Sequence, residues 1–180
     1  MFIKINTKKG FTLIELMTSL SLFIIVMTIS MTSIFGVFNA NRKSRTLKTV
    51  MSNLNLAVES MSREMRFGEN YHCGSDGDIL TPQNCPAGDT SMSFLSSEGT
   101  QITYRLSNQS LEKKIDSGDY IQVTAPEIVI DDLVFYTLGA GLDNLLQPKV
   151  IIKIKSHAGT GSARTDFTLQ TLVSQRALDI

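Results

Sequence analysis

The chain has 180 residues, a formal net charge of zero and no Trp, a length that allows one membrane helix and one modest domain. Residues 42–67 carry six basic and two acidic side chains, whereas residues 68–180 carry eight basic and fourteen acidic ones. The acidic C-terminal region lacks the basic, aromatic stripe that binds nucleic acid, so no nucleic acid is expected as a partner.

The N-terminal region joins a short basic segment to a long uncharged one. Residues 1–10 contain three lysines and no acid, and after Glu15 the next charged side chain is Arg42. This interval is longer than the roughly 20 apolar residues that cross a bilayer. A secretory signal peptide has an apolar region of about 7–15 residues and is cut behind it. We therefore expect the apolar segment to remain in the mature chain as a single membrane span.

Glu15 lies just inside this apolar segment, where an ionisable side chain is costly and indicates a function. It follows paired lysines, Gly10 and Phe11, directly before the apolar run. This arrangement resembles the N-terminal processing signal of type IV prepilins and pseudopilins. The resemblance implies that a prepilin peptidase cuts between Gly10 and Phe11, that the new amine of Phe11 is methylated, and that Glu15 acts in assembly. The alternative is a plain signal anchor with a stray glutamate.

A long helix is predicted for residues 11–67, where Gly36 is the one residue that disfavours it. In residues 11–40 Ser and Thr interrupt the apolar side chains, and they either bond their own backbone or form a packing surface for neighbouring helices. Residues 41–67 are amphipathic, which predicts a spine for the C-terminal domain, with Gly68 as its cap. The apolar stripe consists of Leu47, Val50, Leu54, Val58, Met61 and Met65.

Residues 69–89 are rich in Gly, Asp, Asn and Pro, and are predicted as a loop. Cys73 and Cys85 lie twelve positions apart within it. In an exported domain they would form a disulfide that contributes about 2–3 kcal/mol; in a reducing compartment they would be free thiols. The export implied by the N-terminus favours the disulfide.

No metal site and no cofactor are predicted. His72 and the two cysteines are too few for a zinc site, and His157 is distant in sequence. Asp76 and Asp78 lack the rest of an EF-hand pattern, so we interpret them as solvated turn residues.

The rest of the chain alternates apolar and polar residues, which predicts β-strands. The expected strands cover residues 102–107, 111–115, 120–123, 128–138, 150–154 and 167–173, with a turn at Asn108 and Gln109. Short turns between strands imply a mainly antiparallel sheet with one face covered by the spine helix. The predicted fold is therefore α+β and pilin-like: a cleaved leader (1–10), the two halves of the helix (11–40 and 41–67) and an exported β-rich head (68–180).

The resemblance implies a structural subunit of a type IV pilus or a type II secretion-type pseudopilus. Residues 47–67 and 169–172 most resemble minor pilins and J-type minor pseudopilins. The implied partners are other pilins in a filament, prepilin peptidase, the inner-membrane assembly platform and, before assembly, membrane lipid. The implied location is the inner membrane, with the N-terminus in the cytoplasm and the head outside, and then a filament in the periplasm or at the cell surface.

Two other classes of function compete with this one. The first is a single-pass envelope protein whose exported head binds a ligand. The second is an enzyme, which the sequence does not favour because it contains no nucleophile elbow, phosphate-binding loop or zinc-protease motif.

Overall fold

The computed structural model of the chain describes residues 10–74, 81–141, 146–159, 161 and 164–176. Its contacts divide the chain into two compact units, Met1–Arg42 and Lys43–Ile180. One helix, α1 (Leu13–Arg66), supplies the described secondary structure of the first unit and continues into the second. It begins two residues later than predicted.

The second unit contains nine strands in its described part. They are β1 (Glu69–Cys73), β2 (Cys85–Asp89), β3 (Ser91–Leu95), β4 (Gln101–Ser107), β5 (Ser110–Ile115), β6 (Ile121–Gln122), β7 (Val129–Leu138), β8 (Lys149–Ala158) and β9 (Thr165–Ser174). They form a five-stranded sheet in the order β1-β3-β4-β5-β6 and a four-stranded sheet in the order β2-β7-β8-β9. Every pairing is antiparallel. The predicted α+β fold is confirmed, with two antiparallel sheets where one was expected.

The β4–β5 hairpin shows how local sequence sets strand register. Ser107 pairs with Ser110, and the two residues between them, Asn108 and Gln109, have φ values of 47° and 59°. Positive φ at both central residues matches the right-handed twist of the flanking strands. The predicted turn at this position is confirmed.

Residues 69–89 are not the loop that was predicted, because they contain β1 and β2. β2 includes Pro86 and Gly88, which weaken strand propensity, and it lies at the edge of its sheet, where proline is tolerated. β3 was also not predicted. Four of its five residues are buried, so the alternation that marks a half-buried strand is absent.

Cys73 and Cys85 form a disulfide. Cys73 ends β1 and Cys85 begins β2, so the bond joins an edge strand of the five-stranded sheet to an edge strand of the four-stranded sheet. It therefore links the two sheets and is not confined to a loop.

The C-terminal part of α1 contributes an apolar stripe to the common core. The predicted stripe is confirmed except at Leu47, which is half-buried, and Ala57 joins it. The buried residues are Val50, Leu54, Ala57, Val58, Met61 and Met65. Gly68 follows the helix as expected and donates its amide to the Met65 carbonyl at 3.0 Å. Its φ is not positive, and glycine is needed there because a Cβ would lie 2.5 Å from Phe94 Cδ2.

A carboxylate ties the helix to the five-stranded sheet. Glu64 accepts from Tyr104 Oη at 2.8 Å and from Lys113 Nζ at 2.7 Å, and these two donors lie opposite each other on β4 and β5. Burial raises the pKa of Tyr104 far above its ordinary value, and the neighbouring Glu64 carboxylate raises it further. The Tyr104 hydroxyl is therefore protonated at neutral pH, where it donates to Glu64.

We expect Glu64→Gln to lower the free energy of unfolding by about 1.5–3 kcal/mol, because two charge-assisted hydrogen bonds weaken at a partly buried position. The matched control is Glu59→Gln, which removes an ion pair with Arg63 in which both side chains are 74% exposed; this should cost about 0.5 kcal/mol or less. Urea unfolding of the detergent-solubilised chain, followed by tyrosine fluorescence, measures both. Equal losses would show that Glu64 does not hold the helix on the sheet.

Replacing both cysteines by serine should lower hydrogen-exchange protection first in β1 and β2, because the disulfide joins these edge strands. The overall cost should be about 2–3 kcal/mol. Hydrogen exchange read by mass spectrometry locates the change. An equal loss of protection in β4–β5 and β7–β8 would contradict a local role for the bond.

Candidate processing and assembly site

Gly10 and Phe11 precede the helix and are open to solvent. The side chain of Phe11 is 83% exposed, and a Cβ added to Gly10 would meet nothing within 4 Å. Packing among the described residues therefore gives no reason for a glycine at position 10.

Thr12 caps the N-terminus of α1, a role that the sequence analysis did not assign. Its carbonyl accepts from the amides of Glu15 at 3.1 Å and Leu16 at 3.2 Å, and its Oγ1 lies 3.4 Å from the Glu15 nitrogen. Threonine followed three residues later by glutamate is the capping-box pattern. That pattern is present in the sequence and would have located the helix start at Leu13.

Glu15 lies in the first turn of α1 and is exposed. Its Oε2 accepts from Thr12 Oγ1 at 3.5 Å, and among the described residues no cation pairs with it. A carboxylate in the first turn interacts favourably with the helix dipole, by about 0.3–1 kcal/mol at an exposed site. Glu15 thus has a local role in starting the helix.

The helix behind Glu15 presents apolar side chains on all sides up to Phe38, and these are at least half-exposed. It is the one described helix that is long and apolar enough to cross a membrane. Because its apolar part is uncovered within the described residues, it is not the core helix of a soluble domain. Its hydroxyl groups donate to carbonyls three or four residues earlier, as the first of the two interpretations above expects. These donors are Thr18, Ser19, Ser21, Thr28, Ser30, Thr32 and Ser33.

The residues that the sequence analysis considered for metal binding do not form one cluster among the residues that the structure describes. Cys73 is in the disulfide and offers no thiolate, and the adjacent His72 is buried in β1 with its Nδ1 3.4 Å from the Asn70 carbonyl. Asp76 and Asp78 lie outside the described residues. His157 contacts Asp131, which is a pairing that its sequence position did not suggest.

Comparison with known proteins gives one match. Residues 5–31 match the family described as the prokaryotic N-terminal methylation motif. Neither the curated proteins nor the solved structures give a match to this chain. The motif includes Gly10, Phe11 and Glu15 and lies on the start of a helix that could span a membrane. Together these findings support the type IV pilin and pseudopilin family for this chain.

Proposed function

We propose that this chain is a minor structural subunit of a type IV pilus or a type II secretion-type pseudopilus. The observation that carries the proposal is the methylation motif at residues 5–31. The motif continues into an apolar helix whose side chains are not covered by other described residues. Its partners are prepilin peptidase, other pilins, the inner-membrane assembly platform and membrane lipid before assembly. The minor status rests on the resemblance of residues 47–67 and 169–172 to minor pilins.

Processing begins with insertion of the helix into the inner membrane, with residues 1–10 in the cytoplasm and residues 68–180 outside. Prepilin peptidase then cuts between Gly10 and Phe11. The exposure of both residues, and their position before the helix, support access for the enzyme. The cut turns the amide nitrogen of Phe11 into a free amine, which is methylated and carries a positive charge at neutral pH. Residues 11–40 stay as the membrane and assembly segment.

Assembly then pairs opposite charges between chains. In a filament the apolar helices pack against one another and exclude water, so a carboxylate buried there needs a partner. The amine of Phe11 on a neighbouring chain is that partner for Glu15, and the pair sets the axial register of one subunit against the next. Among the described residues of this chain, no basic side chain pairs with Glu15. Its carboxylate is therefore available for this contact.

A structural role also fits the head. Buried residues of the amphipathic half of α1, from Val50 to Met65, pack into its core beside residues of both sheets. The motif and the helix support assembly, not catalysis, as the work of the chain.

We expect the wild-type chain purified from membranes to begin at a methylated Phe11, and Gly10→Val to keep Met1, because the peptidase needs a small residue at the cut. Intact-mass spectrometry separates these products. Gly36→Val is the matched control: its added side chain also meets nothing within 4 Å, and this variant should be processed normally.

An unprocessed wild-type chain would favour the envelope-anchor alternative. A methylated Phe11 terminus in Gly10→Val would remove the proposed role of Gly10. Failure of both glycine variants would point to a general insertion defect.

We expect Glu15→Val to insert into the membrane and to be cleaved as well as the wild type. The substitution removes a charge from an apolar helix, which lowers the free-energy cost of insertion by about 3 kcal/mol at most. Its incorporation into sheared filaments should nonetheless fall about tenfold, the effect of losing roughly 1.4 kcal/mol of pairing. Glu15→Asp should recover part of this loss. Immunoblotting of sheared filaments measures incorporation.

Thr12→Ala separates capping from pairing. It removes the Oγ1 cap at a cost of about 1 kcal/mol of helix stability but keeps the Glu15 carboxylate. If pairing is the role of Glu15, Thr12→Ala should assemble nearly normally. Equal loss in Thr12→Ala and Glu15→Val would show that Glu15 acts only by starting the helix.

A further inference from the structure

Three metal-ligand side chains meet on the solvent-facing side of the four-stranded sheet. They are Asp131 of β7, His157 of β8 and Asp166 of β9, and one ligand atom from each lies within 4.8 Å of the others. His157 and Asp166 are direct cross-strand partners. Asp131 reaches His157 Nδ1 with Oδ2 at 2.8 Å and Oδ1 at 2.9 Å. The cluster is thus held by three adjacent strands and not by a loop.

An irregularity in β7 brings Asp131 into this cluster. The pairing with β8 runs from Ile130–Ser156 to Asp132–Lys155, so Asp131 is an extra residue between them. A bulge of this kind turns a side chain out of the regular alternation. Ile130 and Leu133 are buried, whereas Asp131 is exposed and Asp132 half-buried. Asp132 pairs with Lys155 at 3.6 Å, and Asp131 is left to face His157.

The donor set selects a class of metal. One imidazole with two carboxylates matches the nitrogen and oxygen ligands of Zn²⁺, whereas Ca²⁺ and Mg²⁺ prefer oxygen alone. Ligand atoms around a tetrahedral zinc with bonds of about 2.1 Å lie roughly 3.4 Å apart. The His157–Asp131 contact of 2.8 Å is a hydrogen bond, and it would have to open by roughly 0.6 Å for both atoms to bind the same ion. Asp166, which is 67% exposed, has room to move closer by side-chain rotation.

Arg164 leaves one carboxylate oxygen of Asp166 available. Its Nε and Nη2 both donate to Oδ1, at 2.9 Å and 2.8 Å. The structure gives Oδ2 no hydrogen bond among the described residues. Arg164 therefore orients Asp166 through one oxygen and leaves the other to bind a cation.

We propose that Asp131, His157 and Asp166 form a binding site for a divalent transition-metal ion of the zinc class. Three protein ligands leave one tetrahedral position for water or for an exogenous ligand, as in open zinc sites. The bound ion cross-links β7, β8 and β9 at one end of the sheet. This site is independent of processing at Gly10 and of pairing by Glu15.

The test uses the full chain in detergent, without a histidine tag, after removal of metal with a chelator and dialysis. Isothermal titration with ZnSO₄ should show one saturable site with a Kd of about 10 µM or tighter. At an about hundredfold excess over Kd, Zn²⁺ should raise the melting temperature by about 5 °C. CaCl₂ and MgCl₂ at the same concentrations should produce no comparable shift.

Asp131→Asn, His157→Gln and Asp166→Asn should each weaken zinc binding by at least about tenfold. The matched control is Asp132→Asn, which makes the same chemical change one residue away and should stay within about twofold of the wild type. The chain has two histidines, and the other, His72, is buried in β1, so His157→Gln removes the histidine of this cluster and leaves the other in place. The metal-free melting temperature of each variant shows whether it is folded.

The proposal is overturned if the wild type shows no saturable zinc binding, or if Asp132→Asn weakens binding as much as the three ligand variants. It is also overturned if calcium binds as tightly as zinc and His157→Gln binds normally, because the imidazole would then contribute nothing. If one ligand variant does not fold, the other two and the control still decide between these outcomes.

Discussion

The constraint on which the rest of the structure depends is the uncovered apolar surface of α1 between Leu13 and Phe38. Large apolar side chains along this part are more than half-exposed, and each costs about 1.5–3 kcal/mol when left in water. The surface therefore requires lipid or other apolar helices. The hydroxyl groups along it donate to the helix's own carbonyls. They therefore keep a hydrogen bond both in lipid and against other helices. The same segment would suit both surroundings of the proposed function, a bilayer before assembly and a helix bundle after it.

The second unit packs two sheets and the amphipathic part of α1 around a single core. The helix stripe is buried together with apolar residues of both sheets, and Glu64 fixes the helix on β4 and β5 through two directional bonds. Edge strands are the weak points of such a domain. The disulfide joins β1 to β2, and it therefore constrains one of the two edge strands of each sheet.

Strong local periodicity explains which elements could be predicted from the sequence. The helix stripe from Val50 to Met65 and the alternating strands β4, β8 and β9 each carry their signal within a few residues. β1, β2 and β3 do not, because they are short, buried on both faces or interrupted by Pro86 and Gly88. The division into two sheets depends on pairings such as β2 with β7, which join Cys85 to Thr137 and Asp89 to Phe135, and no local pattern specifies them.

The two candidate sites also differ in how much of them could be predicted from the sequence. The candidate processing and assembly residues lie close together in the sequence, so their pattern is visible there, although the capping role of Thr12 was overlooked. They are Gly10, Phe11, Thr12 and Glu15. Asp131, His157 and Asp166 come together only through the register of three strands and one bulge. No spacing rule along the sequence would have grouped them.

Under the proposed function, Glu15 acts at two stages of one process. Among the described residues its carboxylate is bonded to Thr12, and a negative charge in the first turn interacts favourably with the positive end of the helix dipole. Cleavage at Gly10 would create a second positive charge, the amine of Phe11, one residue before the cap. Within one chain this amine and Glu15 lie at the same end of the helix, so they lower each other's cost of lying near lipid. When two helices pack with an axial offset, the amine of one can meet the carboxylate of the other in a site without water, where an opposite charge matters more than in solution. The offset that brings the two groups together is then favoured over all others, because any other offset would bury at least one of them unpaired.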